Sequence, residues 1–544
     1  MTRKKWGLRS VIAVAGVSVV ALTACTGPRG AGTATEAGPA GSPVALGTTD
    51  KVTFLDPAFS YDSGSFLVMN QIYPFLLNSA PGSANPKPDI AESASFTAPT
   101  EYTVKLKPGL KWANGTDLDS KDVKFTFDRQ MTINDANGPA TLLANLGSVS
   151  APDATTVVFK LKSANDQTFA RVLTSPVGPI VDDSVFSPDK ASDDAAIIAG
   201  KSFAGQFTIE LYKKNELIAF KKNPDYKGLL GPANSDSVTV KYYTDSNSLK
   251  LDVQQGNIDV AWRSMTATDI DSLKRDDNVQ VDIGPHGELR HLAFNLNTMP
   301  FGAASSAPDA AKSLAVRQAA ADLIDRGALA NQVYKGMYLP AFSWVPQGFA
   351  GAIEPLKESS GDGKGGPDAE KAKKTLADAV IQTPVTLDLA YNPDHYGPSS
   401  ADEYALVKSQ LEEGGLFKVN LQSTDWVTYQ KERVKDTYPL YQLGWFPDYS
   451  DADNYLSPLF GANNFLKNHY DNKDVQVMIE EQRTTTDAAA RTKLIEDIQR
   501  AVAQDVPTLP LLQGAQVVVS GKGVKGVKDT LDASFKFRLG VLSK

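Results

Sequence analysis

The chain has 544 residues, 42% hydrophobic and 22% charged, the composition of a folded globular protein rather than a disordered, fibrous or coiled-coil one. Its length predicts roughly two to four domains or lobes, each large enough to bury a core. A formal charge of −8 argues against nucleic acid or an anionic membrane surface as the main partner, and a single cysteine excludes a disulfide framework, an iron–sulfur cluster and a thiolate zinc site.

Residues 1–24 open with a basic stretch (Arg3, Lys4, Lys5, Arg9) followed by the apolar run Val11 to Ala24. That run is too short to span a bilayer comfortably and suits the core of a signal peptide. It ends in Leu22-Thr23-Ala24-Cys25, which resembles the bacterial lipobox, a signal in which the cysteine is acylated and becomes the first mature residue. Removing the first 24 residues takes four cations away and lowers the formal charge from −8 to −12. Seventeen of the 20 residues 26–45 are Ala, Gly, Ser, Thr or Pro. Such a segment cannot build a core, so residues 25–47 are expected to be an acylated cysteine and a flexible tether, about 25 Å in r.m.s. span.

Strands are expected from the alternation of Tyr102, Val104 and Leu106, ended by Pro108-Gly109, and near residues 155–163. Asp122 to Met131 fits both periods: Val123, Phe125 and Phe127 alternate, whereas Val123, Phe127 and Met131 share a helical face. Asp119 with Asp122 three residues on favours a capped helix start. Further helices are expected over Ala369 to Ala379, over Asp402 to Glu413 (stopped by Gly414-Gly415 before the strand FKVNLQS), and over Ala488 to Gln504, with Leu494, Ile495, Ile498 and Val502 on one face. The whole reads as a mixed α/β or α+β chain without an internal repeat, with a glycine-rich surface loop at 359–370.

Catalytic signatures are missing. There is no G-x-S-x-G elbow, no H-E-x-x-H and no dinucleotide fingerprint. His286 and His291, five apart, have poor ligand spacing. Asp448, Asp451 and Asp453 lack the glycine and terminal glutamate of a calcium loop. No catalytic residue, metal site or cofactor is expected.

Read in order, several segments resemble the extracellular solute-binding proteins of ABC importers, family 5, the oligopeptide, dipeptide and nickel-binding group. These are Phe54-Leu55-Asp56-Pro57 with IYPFLL at 72–77, the run from Pro88 to Arg129, IAFKKNPDYKG at 218–228 and LDVQQGNIDVAW at 251–262. LAFNLNTMPF at 292–301, the run from Val316 to Gly348 and LYQLGWFPDYSDADNYLSPLF at 440–460 complete the series. The resemblance spans nearly all of residues 48–515. It implies a type II periplasmic-binding-protein-like α/β fold of two lobes: lobe I from 48–78, 196–289 and 507–544, an inserted subdomain at 79–195, and lobe II at 290–506. The chain would cross between lobes near 290–297 and 506–513. A short peptide, or another small solute such as a nickel chelate, a sugar or an opine, would bind between lobes that close by a hinge. The implied partners are an ABC permease and, through the lipid on Cys25, the outer face of the cytoplasmic membrane; the chain is expected to be a monomer. A secreted surface hydrolase is the alternative from a different class.

The stretch from Asp425 to Asp448 carries the implied site. In the oligopeptide branch a cleft Trp is followed seven residues on by an Arg that helps hold a peptide carboxylate, then by a second Trp and an Asp. The matching positions are Trp426, Arg433, Trp445 and Asp448. Asp448 would pair with the peptide ammonium, and the two indoles would offer faces to varied side chains. Either Trp could instead be core, and Arg433 stands in a charged run. Where the branch has a second Arg, this chain has Gln442. Around Ser60 to Ser63 the backbone would pair with an extended peptide like an added strand, which brings Phe59, Tyr61 and Ser63 to the cleft.

Overall fold

The computed structural model describes residues 41–544 apart from 84, 136, 137, 264, 463, 532, 533 and 535. The expected signal, Cys25 and most of the expected tether lie outside the described residues. The end of that tether needs correction: Val44–Thr48 is a strand, hydrogen-bonded in parallel to Ser237–Tyr242 on one side and Val260–Trp262 on the other. Val44 and Leu46 alternate into the core, and Gly47 is required by packing, since a Cβ there would lie 2.6–2.8 Å from Ile258, Leu249 and Tyr243. A single central strand this short leaves little period to read.

A mixed sheet runs through both lobes. Its order is Phe417–Ser423, Val385–Tyr391, Leu440–Trp445, Val279–Phe294, Thr508–Gly521, Val260–Trp262, Val44–Thr48, Ser237–Tyr242, Leu217–Lys222, Phe207–Lys213. The two long strands Val279–Phe294 and Thr508–Gly521 pair antiparallel from Val279 opposite Gly521 to Ala293 opposite Thr508, with irregular register between Ile283 and Glu288. Val279 and Val519 pack in a first-lobe core, whereas Leu289, Leu292, Leu509 and Leu512 belong to the second-lobe core. The change of core therefore falls between about Val281 and Leu289 on one strand and between Leu512 and Val517 on the other. The windows 290–297 and 506–513 lie on the second-lobe side, because Phe294 and Leu511 are already buried there.

An inserted layer consists of the antiparallel strands Ala91–Ala98, Glu101–Leu106, Thr156–Leu161 and Leu146–Asp153, covered by the helix Ser120–Ile133. Asp119 and Asp122 form the reciprocal capping box of that helix. Its double periodicity has a physical basis: Val123 and Phe127 are buried against the four strands, while Phe125 packs against the first-lobe core. The core of this layer includes Ile180 and Ala204, whereas Val181, Phe186 and Ile197 join the first lobe. Arg129, at the end of the long signature, grips Asp56 of the opening motif through paired bonds of 2.8 and 2.6 Å, both side chains buried. These two motifs thus tie the inserted layer to the first lobe and fix the start of the 56–63 loop.

Helices Ala369–Asp378, Ser400–Glu412 and Ala488–Asp505 pack on the second lobe as their apolar faces dictate. Among the described residues no helix is long and apolar enough to cross a membrane.

Candidate functional site

The loop after Leu440–Trp445, residues 446–453, leaves the second lobe and meets the first lobe and the inserted layer. Phe446 lies under the Arg263 guanidinium, 4.6 Å from ring centroid to cation. The Tyr61 hydroxyl donates to Asp448 Oδ2 at 2.7 Å. Tyr449 enters the core of the inserted layer. Asp451 binds Arg171 of that layer at 3.2 Å as well as Arg491 of its own lobe at 2.7 Å.

Asp448 is 6% exposed. Asn454 organises the turn around it, accepting the Asp448 backbone N–H at 2.8 Å and the Trp445 indole N–H at 3.0 Å and donating to Asp448 Oδ2 at 3.0 Å. Both side-chain donors therefore reach Oδ2. Burial pushes the carboxyl up to about 6, against the opposing pull of Asn454, Tyr61 and Lys536.

The remaining expected residues divide. Trp445 is buried and meets Phe465 edge-on at 5.5 Å. Trp426 opens the helix Trp426–Arg433, is half-buried, and stacks flat on His395 at 3.9 Å. Arg433 is buried, and its guanidinium donates to Gln430 and to the carbonyls of Phe465 and Leu466. In this arrangement it braces the segment that packs on Trp445. Ser63 donates to Asp50 and accepts from Arg263. Phe59 is half-buried between Phe54 and Arg129. Gln442 is buried and neutral for a reason: its amide accepts from the Asn392 backbone at 2.9 Å and donates to Ser400 at 3.0 Å, and Ser400 also accepts from Arg290. A second cation at Gln442 would stand in the same buried network as Arg290.

Beside this loop the lobes enclose a cavity of about 80 Å³, lined by Arg263, Glu288, Tyr338, His395, Phe446 and Gln516 among others. It is small beside the roughly 300–1,000 Å³ of complete small-molecule sites, so it admits one group of a solute. None of the seven expected side chains lines it; Phe446 joins it to Asp448, and His395 joins it to Trp426. Arg290 faces two carboxylates, Glu403 at 2.6 Å and Glu288 at 3.0 Å, whose other donors are Tyr334 and Tyr338. Arg263 is matched by Asp50 at 2.9 Å. Sequence reasoning missed Arg263, Glu288, His395 and Gln516, which come from four distant segments and carry no spacing signal. Burial drives His395 down to about 3, so it is neutral.

The acidic run does not resemble a metal site: Asp451 is held by two arginines, and Asp453 accepts from Tyr449, Ser457 and Gln482. His286 pairs with the Met337 carbonyl while His291 is fully buried with neither ring nitrogen bonded, so the two histidines do not converge.

Two lobes joined by two crossing strands, with a cavity and a buried carboxylate where they meet, are the architecture of the type II periplasmic-binding class. Residues 85–467 match the model of the bacterial extracellular solute-binding proteins, family 5 Middle, and the chain belongs to that family. It is 25% identical over 501 residues to the probable D,D-dipeptide-binding periplasmic protein DdpA of Escherichia coli, covering 90% of this chain and 92% of that one. It is also 25% identical over 477 residues to the periplasmic oligopeptide-binding protein OppA of Salmonella typhimurium, covering 82% and 83%. A solved structure of the ABC transporter-associated periplasmic binding protein DppA from Helicobacter pylori, in complex with the peptide STSA, superposes with a TM-score of 0.77 at 20% identity over 93% of this chain and 98% of that one.

Proposed function

We propose that the chain is the membrane-anchored substrate-binding protein of an ABC importer, capturing short peptides between its lobes and delivering them to the permease. The observation that carries this reading is Asp448, a buried carboxylate at the lobe contact, hydrogen-bonded across it by Tyr61 and with its charged form disfavoured by burial. A peptide ammonium against the Asp448 carboxylate would favour the charged form that burial disfavours, and exclusion of water on closure strengthens the pair. A ligand presenting its other end would leave the carboxylate buried and unpaired. The dipeptide and oligopeptide names of the relatives and the peptide bound in the structural neighbour support the ligand class. The stretch Leu22-Thr23-Ala24-Cys25 supports export and lipid attachment at Cys25, on the outer face of the cytoplasmic membrane.

The test is to purify the chain and identify what accompanies it by native, then denaturing, mass spectrometry. A mixed set of short peptides with free amino termini is the expected result. One non-peptide species or a metal complex would overturn the ligand assignment.

A further inference from the structure

The position that spacing offers for a carboxylate-binding cation, Arg433, is engaged by Gln430 and by the carbonyls of Phe465 and Leu466, and Gln442 is neutral. A cation that does reach the cavity comes from the first lobe instead. Arg263 follows the strand Val260–Trp262 and lines the cavity wall. Its backbone lies in the left-handed region, at φ 63°. Such a conformation is costly outside glycine and persists where surrounding contacts fix it. Here Asp50 and Ser63 fix it, both accepting from Nη1. A guanidinium carries five N–H groups, so those on Nε and Nη2 are not used by these two bonds. The side chain keeps 12% of its surface open. The guanidinium lies over the ring of Phe446, 4.6 Å away, on the loop that carries Asp448.

The neighbouring groups leave this edge to an acceptor. Glu288 in the same wall is engaged at both oxygens, by Arg290 at Oε1 and by Tyr338 at Oε2. The His395 ring, also in the wall, is kept neutral by burial and by the positive charges of Arg263 and Arg290. Nε and Nη2 of an arginine share one edge, and that edge matches the two oxygens of a carboxylate. The cavity admits one group of a solute, and a carboxylate is one such group.

We propose that Arg263 holds a carboxylate of the bound solute through Nε and Nη2, so that a peptide whose ammonium meets Asp448 on the second lobe is held by its carboxylate on the first. The carboxylate is either the carboxyl terminus of the peptide or an acidic side chain. This inference rests on the peptide reading above and adds a residue that sets ligand preference.

The experiment is calorimetric titration of the purified full-length chain and its Arg263→Gln variant. The double variant Arg263→Gln with Asp50→Asn, which leaves no carboxylate bare, runs in parallel in case the single variant folds poorly. The probes are Ala-Ala-Ala, its carboxyl-terminal amide, and the carboxyl-terminal amides of Ala-Glu-Ala and Ala-Gln-Ala. The best-bound carboxylate probe should bind the wild type about 10-fold or more tightly than its neutral counterpart, and the variants should erase that difference. Loss of affinity on amidation of Ala-Ala-Ala assigns the carboxyl terminus; a preference for the Ala-Glu-Ala amide over the Ala-Gln-Ala amide assigns the acidic side chain. Wild-type affinities that do not distinguish carboxylate from neutral probes would overturn the inference alone. So would variants that weaken carboxylate and neutral probes by the same factor, which is the mark of a merely structural role. Failure of the wild type to bind any probe would remove the peptide reading and this inference with it.

Discussion

Burial holds the Asp448 carboxyl near 6 in the folded chain against an ordinary 3.8, and this has two consequences of opposite sign. The folded, ligand-free protein favours the protonated form, so this group's contribution to stability is complete below about pH 4 and lost as pH rises through 6. On the proposed pairing, peptide capture needs the ionised form together with a charged ligand amine, which titrates near 8. Affinity for a free-amine peptide should therefore rise about 10-fold per unit as pH climbs toward 6 and level off above it; calorimetry across pH 4.5–7.5 checks this, and a flat profile would remove Asp448 from recognition. Asp448→Asn keeps the shape of the turn and removes the charge. It should raise ligand-free Tm at pH 8 more than at pH 5, and weaken free-amine peptides by about 30-fold or more, in the range seen when one partner of a buried charge pair is lost. A variant that binds such peptides as tightly as the wild type would contradict the pairing.

At the scale of elements, the 446–453 loop is the piece that senses both lobes. Arg171 on the inserted layer reaches Asp451 from across the cleft, while Arg491 holds the same carboxylate from within the second lobe. Arg171→Ala removes the cross-lobe bond without leaving Asp451 bare. Arg171 is partly exposed, so the link is worth about 1 kcal/mol or less. The expected outcome is a few-fold weaker ligand affinity and a shallower dependence of affinity on salt, with little change in ligand-free Tm; titrations between 50 and 500 mM NaCl check it, and an unchanged salt slope would mean that the bond plays no part in closure. The same scale shows what the sequence could carry. The capping pair Asp119 and Asp122 and the apolar face Ile495, Ile498 and Val502 are local patterns, and the elements they predict are present. Val44–Thr48 escaped because its strand neighbours lie about 200 residues away in the chain. Asp56 and Arg129 were visible as parts of two motifs, but their pairing is a tertiary fact.

At the scale of the whole molecule, the two-lobed fold was legible because many modest segments occur in family order, and order survives where single motifs are ambiguous. The site was legible only in part. Asp448 follows the end of the strand Leu440–Trp445 by three residues, so spacing can place the two side by side. Tyr61 meets Asp448 across 387 positions, and the cavity wall joins Arg263, Glu288, His395 and Gln516 from separate elements. Arg433, matched by spacing, here supports the main chain at Phe465 and Leu466 instead of facing an open acceptor. The central claim is that closure of the lobes buries a peptide ammonium against Asp448. Its most direct test is calorimetric titration at pH 7 with Ala-Ala-Ala and with the same peptide acetylated at its amino terminus. The account predicts that the free peptide binds at least 10-fold more tightly and that Asp448→Asn erases the difference. Equal affinity of the two peptides for the wild type would contradict it.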